Sequence, residues 1–133
     1  MKTEVPSMDR WLREAKMQPD SHKIGMYLFH NGVVRSTPKA EVREHISGLP
    51  EVKKMCFSYD GEKVAQYIQN TYGLDGIYYV RAWLNQGMLE AGEDIMYVLI
   101  GGDIRPHVTA ALDYLVGKLQ SECVQEQEIC TEE

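Results

Sequence analysis

Five basic residues, Arg35, Lys39, Arg43, Lys53 and Lys54, gather in one stretch of an otherwise acidic chain. Arg35 leaves the apolar run that starts at Ile24, at the point where a polar segment with two prolines, Ser36 to Pro50, begins. A guanidinium held at the end of a strand beside a loop suits bidentate recognition of phosphate or carboxylate, and Lys39 is placed to help it. Solvated surface charges with a few ion pairs would give the same pattern, so both readings stand at this point. Gly101-Gly102 ahead of a helix offers backbone N–H groups to an anion, but Asp103 stands where it would cap that helix itself. The four histidines have no metal-ligand spacing. Cys56, Cys123 and Cys130 make an odd count without a Cys-x-x-Cys motif. Reduced thiols are expected, with a Cys123–Cys130 bridge as the alternative, and Cys56 is read as a core residue.

The chain is 133 residues long, a length suited to one domain, 1–133, with an N-terminal helix and turn in 1–23 and an acidic tail in 122–133. Fourteen Lys and Arg against 20 Asp and Glu leave a net charge of −6. No diffuse basic field is present to hold nucleic acid or an anionic membrane. The longest apolar run, Met96 to Ile100, is far below the ~18 residues of a membrane span. The first 20 residues mix charges throughout and lack the apolar core of a signal peptide. These features predict a cytoplasmic protein that needs neither a metal nor a cofactor.

The elements that must position the basic cluster follow from periodicity. Ser7 caps a helix whose Met8, Trp11, Leu12 and Ala15 recur at helical spacing, and Pro19-Asp20-Ser21 ends it in a turn. Ile24 to Phe29 reads as a strand buried on both faces, continued through Asn31-Gly32 with a bulge. A loop with one helical turn spans Ser36 to Pro50. A strand follows from Val52 to Tyr59, then a helix capped by Asp60 and stopped by Gly73. Ile77 to Leu84 and Asp94 to Ile100 are strands, separated by two glycine turns around Met88-Leu89. The last helix, from about Ile104 to Glu122, buries Val108, Ala111, Leu112, Leu115 and Leu119. Val124 to Cys130 closes the chain as a strand. Paired strands alternating with helices predict an α+β fold, helices packed on a mixed or antiparallel sheet.

Three segments resemble the large, catalytic subunit of molybdopterin synthase. Gly32, Val34 and Arg35 match that family's Phe-Thr-Gly-x-Val-Arg, and Gly76 to Ile95 resembles the stretch that ends in its Gly-x-Leu-x-x-Gly-(Asp/Glu)-x-(Ile/Val). Asp113-Tyr114-Leu115 matches the Asp-x-Leu of the following helix. With the order of elements, the resemblance covers residues 24 to 130. It implies the family's hammerhead-type α+β fold, a homodimer, and docking of a ubiquitin-like small subunit. The thiocarboxylate end of that small subunit gives its sulfur to cyclic pyranopterin monophosphate. It also implies substrate contacts at Arg35, Lys39 and Arg105, and a catalytic amine at Lys118. The family's His-Arg pair before Gly87 is replaced by Leu84-Asn85, and a second His-Arg falls near Ile100-Gly101, with Arg105 the nearest cation. Its two lysines fall at Val116 and Cys123, and Lys118 is the nearest lysine. From Glu122 to Glu133 there are five glutamates and no lysine or arginine, where the family is basic. The alternative expectation is a non-catalytic binding or regulatory relative that keeps the fold and the dimer.

Overall fold

The computed structural model describes residues 2–130, so Met1 and the last three residues of the acidic tail lie outside it. Two three-stranded antiparallel sheets form the frame. The first has the order β1-β5-β3, built from β1 (Met26–Val33), β5 (Asp94–Gly102) and β3 (Ile77–Leu84). The second has the order β4-β2-β6, from β4 (Gly87–Glu90), β2 (Lys54–Tyr59) and β6 (Val124–Ile129). The helices are α1 (Met8–Lys16), α2 (Lys39–Arg43), α3 (Gly61–Tyr72) and α4 (Arg105–Lys118). The expected α+β class with antiparallel sheets is what forms.

β5 organises the molecule because it is central and apolar on both faces. Met96, Val98 and Ile100 point into the main core, which Val108, Ala111, Leu115 and Leu119 of α4 and its C-terminal extension complete. Tyr97 and Leu99 point the other way, under Trp11 and Ala15 of α1. The two-faced burial expected of β1 therefore belongs to β5. β1 lies at the edge of its sheet, and its residues are at best half-buried.

Helix ends follow their sequences. Ser7 Oγ accepts from the Arg10 N–H at 3.2 Å, and Asp60 Oδ1 accepts from the N–H groups of Glu62 and Lys63. α4 stops at Lys118, and a π-helical turn over Leu119–Cys123 replaces the helical end expected there. Asp103 does not cap α4. The helix starts one residue later, behind the extended Ile104. The Asp103 carboxylate instead accepts from the Ile104 N–H at 2.6 Å and meets His107 Nδ1 at 2.7 Å.

β4 was not expected as a strand. Gly87 and Gly92 take φ values of 95° and 94°, which only glycine adopts freely. They let the chain leave the first sheet after β3, pair four residues with β2 of the second, and return as β5. Met55 and Phe57 of β2 are buried, and alternation turns Cys56 outward, so Cys56 is exposed rather than core. All three cysteines are free thiols. A Cys123–Cys130 bridge is excluded by β6, whose six residues at ~3.3 Å each hold those positions far apart.

Candidate anion-binding site

Arg35 stands two residues beyond the end of β1 and is held by its neighbours. Val34 is 2% exposed, its N–H donates to the Glu93 carbonyl at 3.0 Å, and its carbonyl accepts from the Gly92 N–H at 2.9 Å. Ser36 on the other side accepts from the Val52 N–H at 2.7 Å. Between two anchored residues, the exposed Arg35 side chain reaches a cavity of about 140 Å³ that opens to solvent, room for the anionic head group of a ligand. The expected bulge lies just before it, between Gly32 and Val33.

α2 supplies the next two cations. Pro38 precedes it in an extended conformation, and the single turn that follows sets Lys39 and Arg43 four residues apart. That spacing puts both on one face, and both line the same cavity as Arg35. Three of the five basic residues therefore converge. Lys53 and Lys54 do not line this cavity, and Lys53 pairs with Glu51 at 3.2 Å.

Glu126 and Glu128 also line the cavity, together with Gln120 and His30. On β6 these two glutamates stand opposite Phe57 and Met55, so alternation turns them inward while Gln125 and Gln127 face solvent. Lys39 Nζ lies 3.0 Å from Glu126 Oε2, and the Lys39 backbone N–H donates to both oxygens of Glu128 at 3.3 and 3.2 Å. Burial lowers the pKa of His30, so its imidazole is neutral at pH 7 and adds a hydrogen-bonding group without charge. Arg35 and Arg43 have no ion-pair partner among the described residues. The arrangement offers two free guanidinium groups to an oxyanion, with a third cation already engaged.

The other expected site residues stand elsewhere. Lys118, at the end of α4, does not line this cavity. Its Nζ is 3.0 Å from Glu122 Oε2 and 5.8 Å from the centre of the Tyr67 ring. The hydrogen bond to Glu122 raises its pKa, whereas an amine acting as a nucleophile at neutral pH needs the opposite shift. Arg105 is exposed at the opposite end of α4 and does not line the cavity either. Gly101 and Gly102 form no anion loop. They are the last residues of β5, and a Cβ on Gly102 would stand 2.6 Å from the Gly76 carbonyl and 2.7 Å from Val108 Cγ2. Asn85 is buried and works as a structural knot, binding Thr3, Gln86 and Asp94. Among the described residues no cluster of three or more His, Cys, Asp or Glu side chains can hold a metal ion. Among them, too, no helix is long and apolar enough to cross a membrane.

Sequence reasoning missed His30, Gln120, Glu126 and Glu128. The glutamates had a signal in the alternation Val124-Gln125-Glu126-Gln127-Glu128-Ile129. Only the register of β6 against β2 shows which parity faces inward.

The fold is that of molybdopterin synthase large-subunit structures. Molybdopterin synthase from Staphylococcus aureus superposes with a TM-score of 0.74 at 13% identity, over 98% of this chain and 89% of that one. The molybdopterin biosynthesis MoaE protein of Burkholderia ambifaria gives 0.70 at 13% identity, over 98% and 89%. A complex of subunits 1 and 2 of molybdopterin-converting factor from Helicobacter pylori gives 0.64 at 10% identity, over 96% and 82%. No protein-family model and no curated protein matches the sequence.

Proposed function

We propose that this chain is a divergent relative of the molybdopterin synthase large subunit that binds a small anionic ligand, with Arg35 as the anchor and without the standard catalytic amine. The observation that carries the reading is the convergence of Arg35, Lys39 and Arg43 on one cavity, while Lys118 is engaged by Glu122. An anchored arginine supplies paired donors to an oxyanion, and such charge-assisted bonds are each worth about 1.5–3 kcal/mol. Arg35→Ala should therefore weaken binding of phenyl phosphate by about 10- to 100-fold in a calorimetric titration. Unchanged affinity removes the anchor and the reading.

A second reading is sulfur transfer. Its support is the likeness to the Helicobacter pylori complex of subunits 1 and 2, over 96% of this chain. In this reading a ubiquitin-like small subunit docks on a homodimer of this chain, in the cytoplasm, and delivers a thiocarboxylate. The phosphorylated pterin precursor sits on Arg35 with Lys39 as helper, and Lys118 captures the carboxyl left when sulfur departs. The test mixes the protein with a thiocarboxylated small subunit and cyclic pyranopterin monophosphate and follows molybdopterin formation. Product formed by wild type and lost in Lys118→Ala supports this reading; no product from wild type ends it. Sedimentation of the protein alone tests the homodimer.

A further inference from the structure

We propose that Glu126 and Glu128 set the charge selectivity of the Arg35 cavity, making it a site for singly charged oxyanions, phosphodiester or carboxylate, in preference to doubly charged ones. The proposal rests on the anion-binding reading and specifies its ligand class.

β6 is an edge strand, and its inward-facing positions would ordinarily carry apolar residues against the core. Val124 obeys that rule, whereas Glu126 and Glu128 place carboxylates there, opposite Phe57 and Met55. The Glu126 side chain is only 15% exposed. Both glutamates are directed at one residue. Glu126 takes the Lys39 ammonium at 3.0 Å, and Glu128 takes the Lys39 backbone N–H. Lys39 is thus neutralised from within the fold, and α2 is tied to β6 through it.

Three cations against two carboxylates leave the cavity with one net positive charge, because His30 is neutral. A singly charged oxyanion balances that charge and can take Arg35 and Arg43 together. For a dianion the attraction only doubles, while the cost of leaving water rises with the square of its charge. The second charge of a phosphomonoester meets two inward carboxylates with no further free cation among the cavity's residues. Glu126 and Glu128 line the same cavity as the two free guanidinium groups, so an anion held by Arg35 and Arg43 stays close to them. Electrostatic energy scales with ligand charge, so any change in the cavity's potential acts twice as strongly in free energy on a dianion. Removing one carboxylate therefore raises dianion affinity by the square of the factor for a monoanion.

The experiment titrates wild type, Glu126→Gln and Glu128→Gln at pH 8 with three probes sharing one ring. Phenyl phosphate is doubly charged there, and methyl phenyl phosphate and benzoate are singly charged. Wild type should prefer a singly charged probe. Glu126→Gln should gain about threefold for it and about tenfold for phenyl phosphate, reversing or narrowing the preference. Glu128→Gln gives the same ratio test should Glu126→Gln fail to fold, and a purely structural role for either residue would leave the ratio unmoved. Whether methyl phenyl phosphate or benzoate binds more tightly assigns phosphodiester or carboxylate within the proposed class. Equal gains for both charges, or none, overturn the selectivity while leaving the Arg35 anchor intact. If no probe binds wild type or either variant, the anion-binding reading falls and the selectivity with it.

Discussion

Asn85 is 3% exposed, and both ends of its amide are hydrogen-bonded. Its Oδ1 accepts from the N–H groups of Thr3 and Gln86 at 3.0 and 2.9 Å, and its Nδ2 donates to the Asp94 carbonyl at 3.0 Å. Asn85→Ala leaves these partners unsatisfied and should cost about 2–4 kcal/mol in urea unfolding, well above a surface substitution. His30 makes a pH-dependent contribution. Burial holds its pKa below the ordinary 6.5, so the unfolded chain takes up its proton first as pH falls. That contribution is complete above about pH 6.5 and declines below it. His30→Gln should flatten the change in urea midpoint between pH 8 and 5.5. A slope equal to that of wild type would show that another group titrates there. Arg35 was legible in the sequence because its setting, an apolar run ending in a polar loop, is local. The partners of Lys118 were half local. Glu122 lies four residues on, but Tyr67 comes from α3 and is brought in only by the packing of α3 against α4.

Close approach of β5 to its neighbours explains why it ends in two glycines. In Gly102→Ala the new methyl group would meet the Gly76 carbonyl at 2.6 Å, and backbone cannot swing aside as a side chain does. A loss of about 2–3 kcal/mol is expected, measured by the same urea unfolding. Gly117, on the exposed side of α4, is different: a Cβ there would meet nothing within 4 Å. The same change at Gly117 should add about 0.5–1 kcal/mol, because alanine loses less backbone freedom in a helix. Helices with caps and apolar stripes were readable from their own residues, as α1 and α3 show. β4 was not, because four residues between two glycine turns carry almost no periodicity, and what makes them a strand is β2, about thirty residues upstream. The inward parity of Glu126 and Glu128 was hidden for the same reason. Register is a property of two strands, and one strand's sequence does not contain it.

Several carboxylates join parts of the molecule that are distant in sequence. Glu14 of α1 meets Arg81 of β3, which also stacks on Trp11 at 4.5 Å. Glu93 receives Lys2 at 2.9 Å, holding the N-terminal segment against the turn before β5. Glu122 accepts from Tyr67 at 2.7 Å and joins the end of α4 to α3. These carboxyl groups have lowered pKa values: Glu14 chiefly through its bond to Arg81, Glu93 through the Glu90 N–H and then Lys2, Glu122 through Tyr67 and then Lys118. A carboxylate harder to protonate in the folded state binds its proton first in the unfolded chain. Its stabilisation is therefore present above the ordinary value of 4.5 and lost as pH falls through the lower folded value. Protonation also strips the chain of its negative excess, so the 14 Lys and Arg begin to repel one another. Beyond the shallow decline that His30 brings below about pH 6.5, the melting temperature should fall steeply below about pH 4.5. Glu14→Gln should melt below wild type at pH 7, and the gap should close as pH falls through the lowered folded value of Glu14 and its carboxyl becomes neutral opposite Arg81. A constant gap between the two melting curves at every pH would show that Glu14 acts through packing on Trp11 and Arg81, and that its charge does not couple α1 to the sheet.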